Sequence, residues 1–436
     1  MRKSFHFFAF LFCFLSILNL SAQGHDHSGH DHDGHDHSHS HDDGHDHSSH
    51  ADHATHEGGH GDPCAPHEDH GYDPKATAMH HISDANVYTI FDAIRIPLPC
   101  ILYSKDKGWD FFMSSVFAPG HHDDGHYAHH GYVLHEGSIK RVLDKNFPQG
   151  HHIELGPFSM QEHGDKEVGY VCYQNQPYEL ENKTIWDGGL FGGGITSFYD
   201  LSLTKNIVSM ILVCLLLFWL FRTAAKAYSK RDGQAPKGVQ SLLEPDVTYI
   251  RYEGAIPFIG EKRCMSFLPL LLTIFFFILG LNLWGQVPFL GGTNVTGSLT
   301  VTGILAILVF IISNFNGNKH YWQHILWMPG VPVFVKPLLT LIEIMSMFIK
   351  PLTLMLRLAG NITAGHIAIL SFIGLIFIFG QSGENLGGGI MGAVLSTLLT
   401  LFMMAIELIV AFIQAFVFTI LSASYIGAAT EEHDHH

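Results

Sequence analysis

Charge is scarce in this chain. Only 15% of the residues are Asp, Glu, Lys or Arg, against 47% hydrophobic ones. The charge that exists leans acidic, with 24 Lys and Arg against 40 Asp and Glu. A nucleic-acid partner would want a basic face, and a formal net charge of −16 argues against one. Cysteines number six. Between residues 86 and 200 they never join histidines in a zinc-type spacing. That stretch also holds no nucleophile–base pattern.

What is present is unevenly distributed. Before about Asn206 the chain is mostly polar, and after it long apolar runs dominate. The second half therefore reads as an integral membrane protein. With 436 residues there is room for more than one domain. The first residues are "MRKSFHFFAFLFCFLSILNLSAQG". Arg2 and Lys3 form a basic start, an apolar stretch follows from Phe5 to about Leu18, and Ser21-Ala22-Gln23 offers a cleavage site. Residues 1–23 read as a secretory signal peptide, with a short first membrane anchor as the competing reading. Either way the next segment is exported, into a bacterial periplasm. Cys13 leaves with the signal. Cys64, Cys100 and Cys172 then lie in an oxidising space that allows one disulfide with one cysteine left over. Cys214 and Cys264, in and just before apolar runs, read as packing residues.

Residues 24–85 are low complexity, beginning "GHDHSGHDHDGHDHSHSHDDGHDHSSH". His, Asp, Gly and Ser cannot bury a core, so the tract is expected to be disordered. Its His-x-His repeats make His25, His27, His30, His32, His35 and His37 weak metal candidates. A solvated tail and a metal or proton buffer both fit. Residues 86–200 show short β-branched and aromatic runs broken by Pro, Gly and Asp. They predict a few strands and one short helix in a small exported extension. His121, His122, His126, His129, His130, His135, His151 and His152 continue the histidine bias there. Trp186–Gly194, "WDGGLFGGG", is a glycine-rich joint.

An all-α, polytopic membrane region follows. "IVSMILVCLLLFWLF" (207–221) is the first predicted span. Arg222, Lys226, Lys230, Arg231 and Lys237 follow it, which puts that end in the cytoplasm. Residues 236–260 are too polar to span and are expected to lie along the membrane surface. Residues 265–284 and 297–315 are the second and third spans. Residues 331–379 are longer than one crossing needs and imply a steeply tilted or bent helix, or a surface helix joined to a span. After a glycine-rich turn, a last apolar run extends from Ile390 to about Ile426. Five crossings return the C-terminus, with its His-rich tail 433–436, to the cytoplasm.

The last two segments contain residues that lipid disfavours: Glu343, Arg357, Asn361 and His366, then Glu407 and Gln414. At about 100° per residue, Arg357 and Asn361 lie about 40° apart, while His366 is about 180° from Arg357. Glu407 and Gln414 share a face, about 20° apart. A short turn makes the two helices neighbours, so His366 and Glu407 can meet while Arg357 faces elsewhere. An Arg357–Glu407 ion pair that merely joins two helices is the alternative, though such pairs are weak evidence for stability. Ionisable groups inside a membrane are by default functional. His and Glu suit proton relay, whereas Arg does not titrate and can serve only as a barrier or counter-ion.

At these residues the sequence resembles the a subunit of the membrane sector of F-type ATP synthases. "LRLAGNITAGH" and "IELIVAFIQAFVFTIL" carry the resemblance, with support from "PLLLTIFFFILGLNLWGQVPF" and "LIEIMSMFIKPLTLMLRL". It covers residues 201–432. It implies that Arg357 faces a rotor ring of c subunits, with Asn361 beside it and Gln414 approaching it. It implies that His366 and Glu407 form the acid/imidazole pair of a periplasmic half-channel, with Glu343 on the cytoplasmic one. Asn282 matches an asparagine of the second span, and Gly285 stands where some members have an acid. The implied function is that of a proton-channel stator in the bacterial inner membrane, with a periplasmic N-terminus. Its implied partners are the c ring, the b subunits of the peripheral stalk, the other synthase subunits and the bilayer. No cofactor and no catalytic site of its own are expected. The alternative is a zinc or other metal-ion transporter with a His-rich loop, which needs clustered ligands inside the spans.

Overall fold

A computed structural model describes Cys64 and residues 83–90, 94–119, 124–144, 146–163, 166–181, 198–231, 234–287, 293–328, 331–380 and 385–431. The expected signal peptide, the His-rich tract apart from Cys64 and residues 83–85, its six candidate histidines, the glycine-rich joint and the tail 433–436 lie outside the described residues.

The extension is a β structure. Its strands are β1 (Val87–Ile90), β2 (Ile94–Pro97), β3 (Pro99–Ser104), β4 (Gly108–Met113), β5 (Tyr127–Ala128), β6 (Tyr132–His135), β7 (Ser138–Val142), β8 (Ile153–Glu154), β9 (Phe158–His163), β10 (Lys166–Tyr173), β11 (Gln176–Glu181) and β12 (Phe198–Asp200). The predicted short helix is a single 3-10 turn, Ser114–Phe117. Four residues there follow a strand and end on Ala118 in the left-handed region, φ 45°, which stops the coil after one turn. A five-stranded sheet runs β6-β7-β11-β10-β9, and a three-stranded one runs β12-β3-β4. Strand β3 alternates, burying Cys100, Leu102 and Ser104. Leu102 packs with Phe117, Tyr132 and Phe198 in one core, while Phe147, Val171 and Leu180 form another.

Cys64 pairs with Cys172, 108 positions away, with Cα atoms 5.6 Å apart. Cys100 stays a buried thiol, its Sγ facing the Leu98 carbonyl. Strand β12 lies on β3 and feeds directly into the first membrane helix, α1 (Lys205–Lys230). There the Lys205 N–H donates to the Ala85 carbonyl at 2.8 Å, and the Asn206 N–H to Asp84 Oδ1 at 3.2 Å. The extension thus covers the exposed main-chain donors at the start of α1.

Next come α2 (Val239–Tyr249), a π-helical turn at Ile250–Ala255, and α3 (Ile256–Ile259). They form the expected non-spanning connection, now seen as helical. The remaining helices are α4 (Glu261–Gln286), α5 (Leu299–Phe315), α6 (Lys319–Leu326), α7 (Lys336–Gly380) and α8 (Leu386–Thr430). Helices α1, α4, α7 and α8 are long and apolar enough to cross a membrane. The α5–α6 pair, bent by 106°, makes a fifth crossing if counted as one span. The 331–379 segment is thus one helix of 45 residues, α7, with Pro351 inside it. At about 1.5 Å per residue it is about 67 Å long, so it must tilt or bend to fit about 30 Å of hydrocarbon.

Helix α4 is the hub. In its most apolar window 61% of residues are buried, against 11% for α7 and 28% for α8. Leu271, Ile274, Phe275 and Ile278 of α4 are at most 1% exposed. Helix α8 lies against this hub and α7 against α5, with most of the hairpin's surface outward. At the far end, the Asn318 N–H donates to the Ala429 carbonyl at 2.9 Å, tying the α5–α6 bend to the end of α8.

Two stability predictions follow from the extension. On a loop-closure basis, opening a cross-link over 108 positions removes about 4–5 kcal/mol. Cys172→Ser should therefore make the extension of the purified protein markedly easier to digest with protease, as reduction of the wild type should also do. Separately, Arg141 donates to Asp106 and holds its carboxyl down from 3.8 to about 2. Asp106 is 56% exposed in this pair, so screening limits its contribution to about 1 kcal/mol or less. A depressed carboxyl stabilises above its ordinary value and loses the effect as pH falls through its folded one. Asp106→Asn should thus lower thermal stability slightly near neutral pH, and the difference from wild type should vanish as the pH approaches about 2.

Candidate functional site

Helices α7 and α8 are antiparallel neighbours because Asn385 closes a tight turn between them, its side chain accepting from the Gly388 N–H at 3.0 Å. The turn sets the register between the helices. It brings His366 of α7 to Glu407 of α8, with Nε2 and Oε1 3.8 Å apart. That is an ion-pair separation rather than a hydrogen bond. The Glu407 side chain is 4% exposed and that of His366 17%. Oε1 of Glu407 is buried without a hydrogen-bond partner among the described residues, an expensive state for a polar atom.

Gly365 makes this approach possible, and Gly285 allows close packing beside it. A Cβ on Gly365 would stand 3.0 Å from Glu407 Oε1. A Cβ on Gly285 of α4 would stand 2.6 Å from the Thr293 carbonyl oxygen and 3.8 Å from His366 Nε2. Gly285, where the resemblance led to an acid in some members, is thus packed against the pair with no room for a side chain. One turn earlier on α4, Asn282 is 3% exposed. Its Nδ2 donates to the Ala411 carbonyl of α8 at 3.3 Å, and its Oδ1 accepts from Thr296 at 2.7 Å. Thr363 donates to the Gly297 carbonyl at 3.4 Å. The end of α4, the 293–297 turn, α7 and α8 therefore converge around Glu407. Trp284 Nε1, Gln286 Nε2 and Thr293 Oγ1, at that end of α4 and in the turn, are also buried without partners among the described residues.

The other predicted residues lie apart from this cluster. Arg357 and Asn361 are exposed on α7. Nine positions separate Arg357 from His366, about 14 Å along the axis and on opposite faces. No described carboxylate pairs with Arg357, so the Arg357–Glu407 ion pair is not formed. Glu343 is half-buried, fourteen positions the other way from Arg357, about 21 Å along the axis and about 40° around it. Gln414 is buried on α8, and no described hydrogen bond joins it to Arg357. Near the Glu343 end, Lys350 Nζ lies 5.7 Å from the centre of the Tyr425 ring.

Sequence reasoning missed Gly365, Thr293, Thr296, Trp284 and Gln286. The available signal was the polar residues interrupting apolar sequence in "NLWGQ" and "TNVTG". Elsewhere, one group of three potential metal ligands stands together among the described residues: His129, His130 and His151, in the extension.

Several helices long and apolar enough to span define a multi-pass membrane protein. The family described as ATP synthase A chain matches residues 207–427, and the chain belongs to that family. A domain of unknown function (DUF8433) matches residues 77–155. One relative, "ATP synthase subunit a 2" of Chlorobaculum tepidum, is 39% identical over 251 residues, covering 55% of this chain and 66% of its own length. "ATP synthase subunit a" of Chloroherpeton thalassium is 37% identical over 250 residues, 54% of this chain and 69% of its own. "ATP synthase subunit a" of Anaeromyxobacter sp. (strain Fw109-5) is 34% identical over 313 residues, with shares of 69% and 73%. The chain thus spans about two thirds of the length of the first two relatives. The zinc-transporter alternative finds no support, since the described ligand cluster lies outside the spans.

The two α-carbons with opposite surroundings give a test. Gly360 of α7 has open space around a Cβ, whereas Gly285 would meet main chain. Gly360→Ala should raise thermal stability in detergent by up to about 1 kcal/mol through helix propensity. Gly285→Ala should lower it by about 1–3 kcal/mol through overpacking.

Proposed function

We propose that this chain is the proton-conducting stator of an ATP synthase membrane sector. The observation that carries the reading is Arg357, the charged residue exposed on a helix surface that is otherwise apolar or uncharged, with Thr353 and Asn361 one turn to either side. In the adjacent turns of α7, Leu352 and Leu356 are 49% and 51% exposed. A permanent cation on such a surface costs about 2.5–3.5 kcal/mol on insertion scales. A carboxylate supplied by another chain offsets that cost, and the c ring is the proposed source.

The magnitude sets the chemistry. At about 4 Å and an effective dielectric of about 20, Arg357 attracts an ionised carboxylate by about 4 kcal/mol. That favours the ionised form by about 3 pKa units. A rotor carboxyl passing Arg357 must release its proton and cannot carry it straight through. Protons enter from the side of the extension, pass between His366 and Glu407, and load the ring carboxyl on one side of Arg357. They leave on the other side along a path that includes Glu343. Asn361 and Gln414 flank Arg357 in this reading, and Asn282 holds α4 against α8 beside Glu407. Each proton moving with the field releases about 2.3 kcal/mol per 100 mV. The chain contributes the proton path and not bond chemistry.

The b subunits and the rest of the synthase complete the proposed assembly in a bacterial inner membrane. Two features support the orientation. The basic residues Arg222, Lys226 and Lys230 in the last turns of α1, with Arg231 and Lys237 after it, are as expected of a cytoplasmic end. The Cys64–Cys172 bond lies in the extension at the other end, as suits an oxidising compartment.

Membrane vesicles holding the whole synthase provide the test. Arg357→Ala should abolish proton-driven ATP synthesis and leave a passive proton leak, while Glu407→Gln should slow synthesis without that leak. Normal ATP synthesis in Arg357→Ala vesicles would overturn the reading.

A further inference from the structure

The extension carries a constellation that the proton path does not use. Strands β5 and β8 pair in antiparallel register, with Ala128 opposite Ile153. That ladder sets the residues after β5 beside those before β8. His129 and His130 thereby meet His151, and ring centres are 4.3 Å apart for 129–130, 4.7 Å for 129–151 and 4.5 Å for 130–151. One ring nitrogen from each of the three lies within 4.8 Å of the others.

The spacing suits a metal. Zinc–nitrogen bonds of about 2.0–2.1 Å in a tetrahedron place two ligand nitrogens about 3.3 Å apart. Nδ1 of His129 and Nδ1 of His151 are 3.2 Å apart. Only one nitrogen of that pair can carry a proton between them, so at least one lone pair faces inward. Asp110 Oδ1 stands 3.4 Å from His130 Nδ1, and Asp110 Oδ2 is buried without a hydrogen-bond partner. A carboxylate beside a ligating imidazole orients the ring and supplies charge. Lys107 adds an opposing charge, its Nζ on the His130 carbonyl at 2.6 Å.

The backbone is bent to present these rings. His130 and His152 both adopt positive φ, 54° and 52°, uncommon for residues other than glycine. Phe112 packs edge-on to His129, ring centres 4.9 Å apart, and fixes the buried member. Such local strain gathers at functional positions.

We infer that His129, His130 and His151 bind a divalent transition metal of the zinc, nickel or copper class, with Asp110 as the supporting carboxylate. Imidazole donors select these ions over calcium and magnesium, which prefer oxygen. Three protein ligands leave a coordination position open, and His151 is exposed, so the ion can exchange with solvent.

Full-length protein purified in detergent without an affinity tag gives the test. Diethyl pyrocarbonate modifies accessible histidines, and mass spectrometry reads each one separately from those of residues 24–60. Zinc chloride should slow modification of His130 and His151, leave the exposed His126 and His152 unchanged, and magnesium chloride should do nothing. His151→Gln, a surface change, should remove the zinc protection of His130. Asp110→Asn should raise the zinc concentration needed by about 10-fold or more. Equal reactivity of His130 and His151 with and without zinc, or retained protection of His130 in His151→Gln, would overturn the inference. Neither result bears on the proton path, because ATP synthesis is not measured.

Discussion

A guanidinium that cannot release its proton, held on an apolar helix face, is the constraint around which the membrane region is organised. Water would screen Arg357 and lipid would penalise it. No carboxylate within the described chain neutralises it. The register of the α7–α8 hairpin directs Glu407 to His366, on the opposite side of α7 from Arg357. The site is thus divided by geometry. A buried carboxyl and an imidazole sit on the inner side, where α4 covers them. A fixed cation sits on the outer side, where nothing described covers it. In the proposed reading this division lets a proton load a carrier without passing straight to the other compartment.

Keeping Glu407 buried depends on close packing more than on polar bonds. Gly365 lets α7 approach the carboxyl, Gly285 lets α4 pack on the Thr293 main chain beside His366, and Asn282 fastens α4 to α8 through the Ala411 carbonyl. The Oε1 atom that this packing encloses has no hydrogen-bond partner among the described residues, a costly state for a polar atom. The unpartnered Trp284, Gln286 and Thr293 atoms nearby extend the same polar lining toward the end of the bundle that faces the extension. Helix α4 carries this task by being buried along most of its length, while α7 and α8 remain outward-facing.

The extension follows a different logic. Its strands are short, its two cores are small, and the Cys64–Cys172 bond closes a long loop that those cores alone hold weakly. It is joined to the membrane region through β12 and through main-chain bonds at the start of α1. The histidine trio sits at the β5–β8 ladder, in a body organised by pairing register rather than by helical period.

By itself the sequence determined the helical half of the molecule. Apolar runs of membrane length, the basic cluster after the first run and the spacing of Arg357, Asn361 and His366 follow from helical period and the cost of burying charge. These are local properties, and the long helices begin and end within about five residues of the apolar runs, except that α1 continues nine residues past its run, to Lys230. The close approach of Gly365 to Glu407 and of Gly285 to Thr293, the meeting of Asn282 with Ala411 and the Cys64–Cys172 pairing were decided by tertiary structure. Each joins positions far apart in the chain, for which no local pattern exists. The same holds for His129, His130 and His151. Their spacing is unlike any zinc motif, and only an antiparallel ladder between two-residue strands places their nitrogens together.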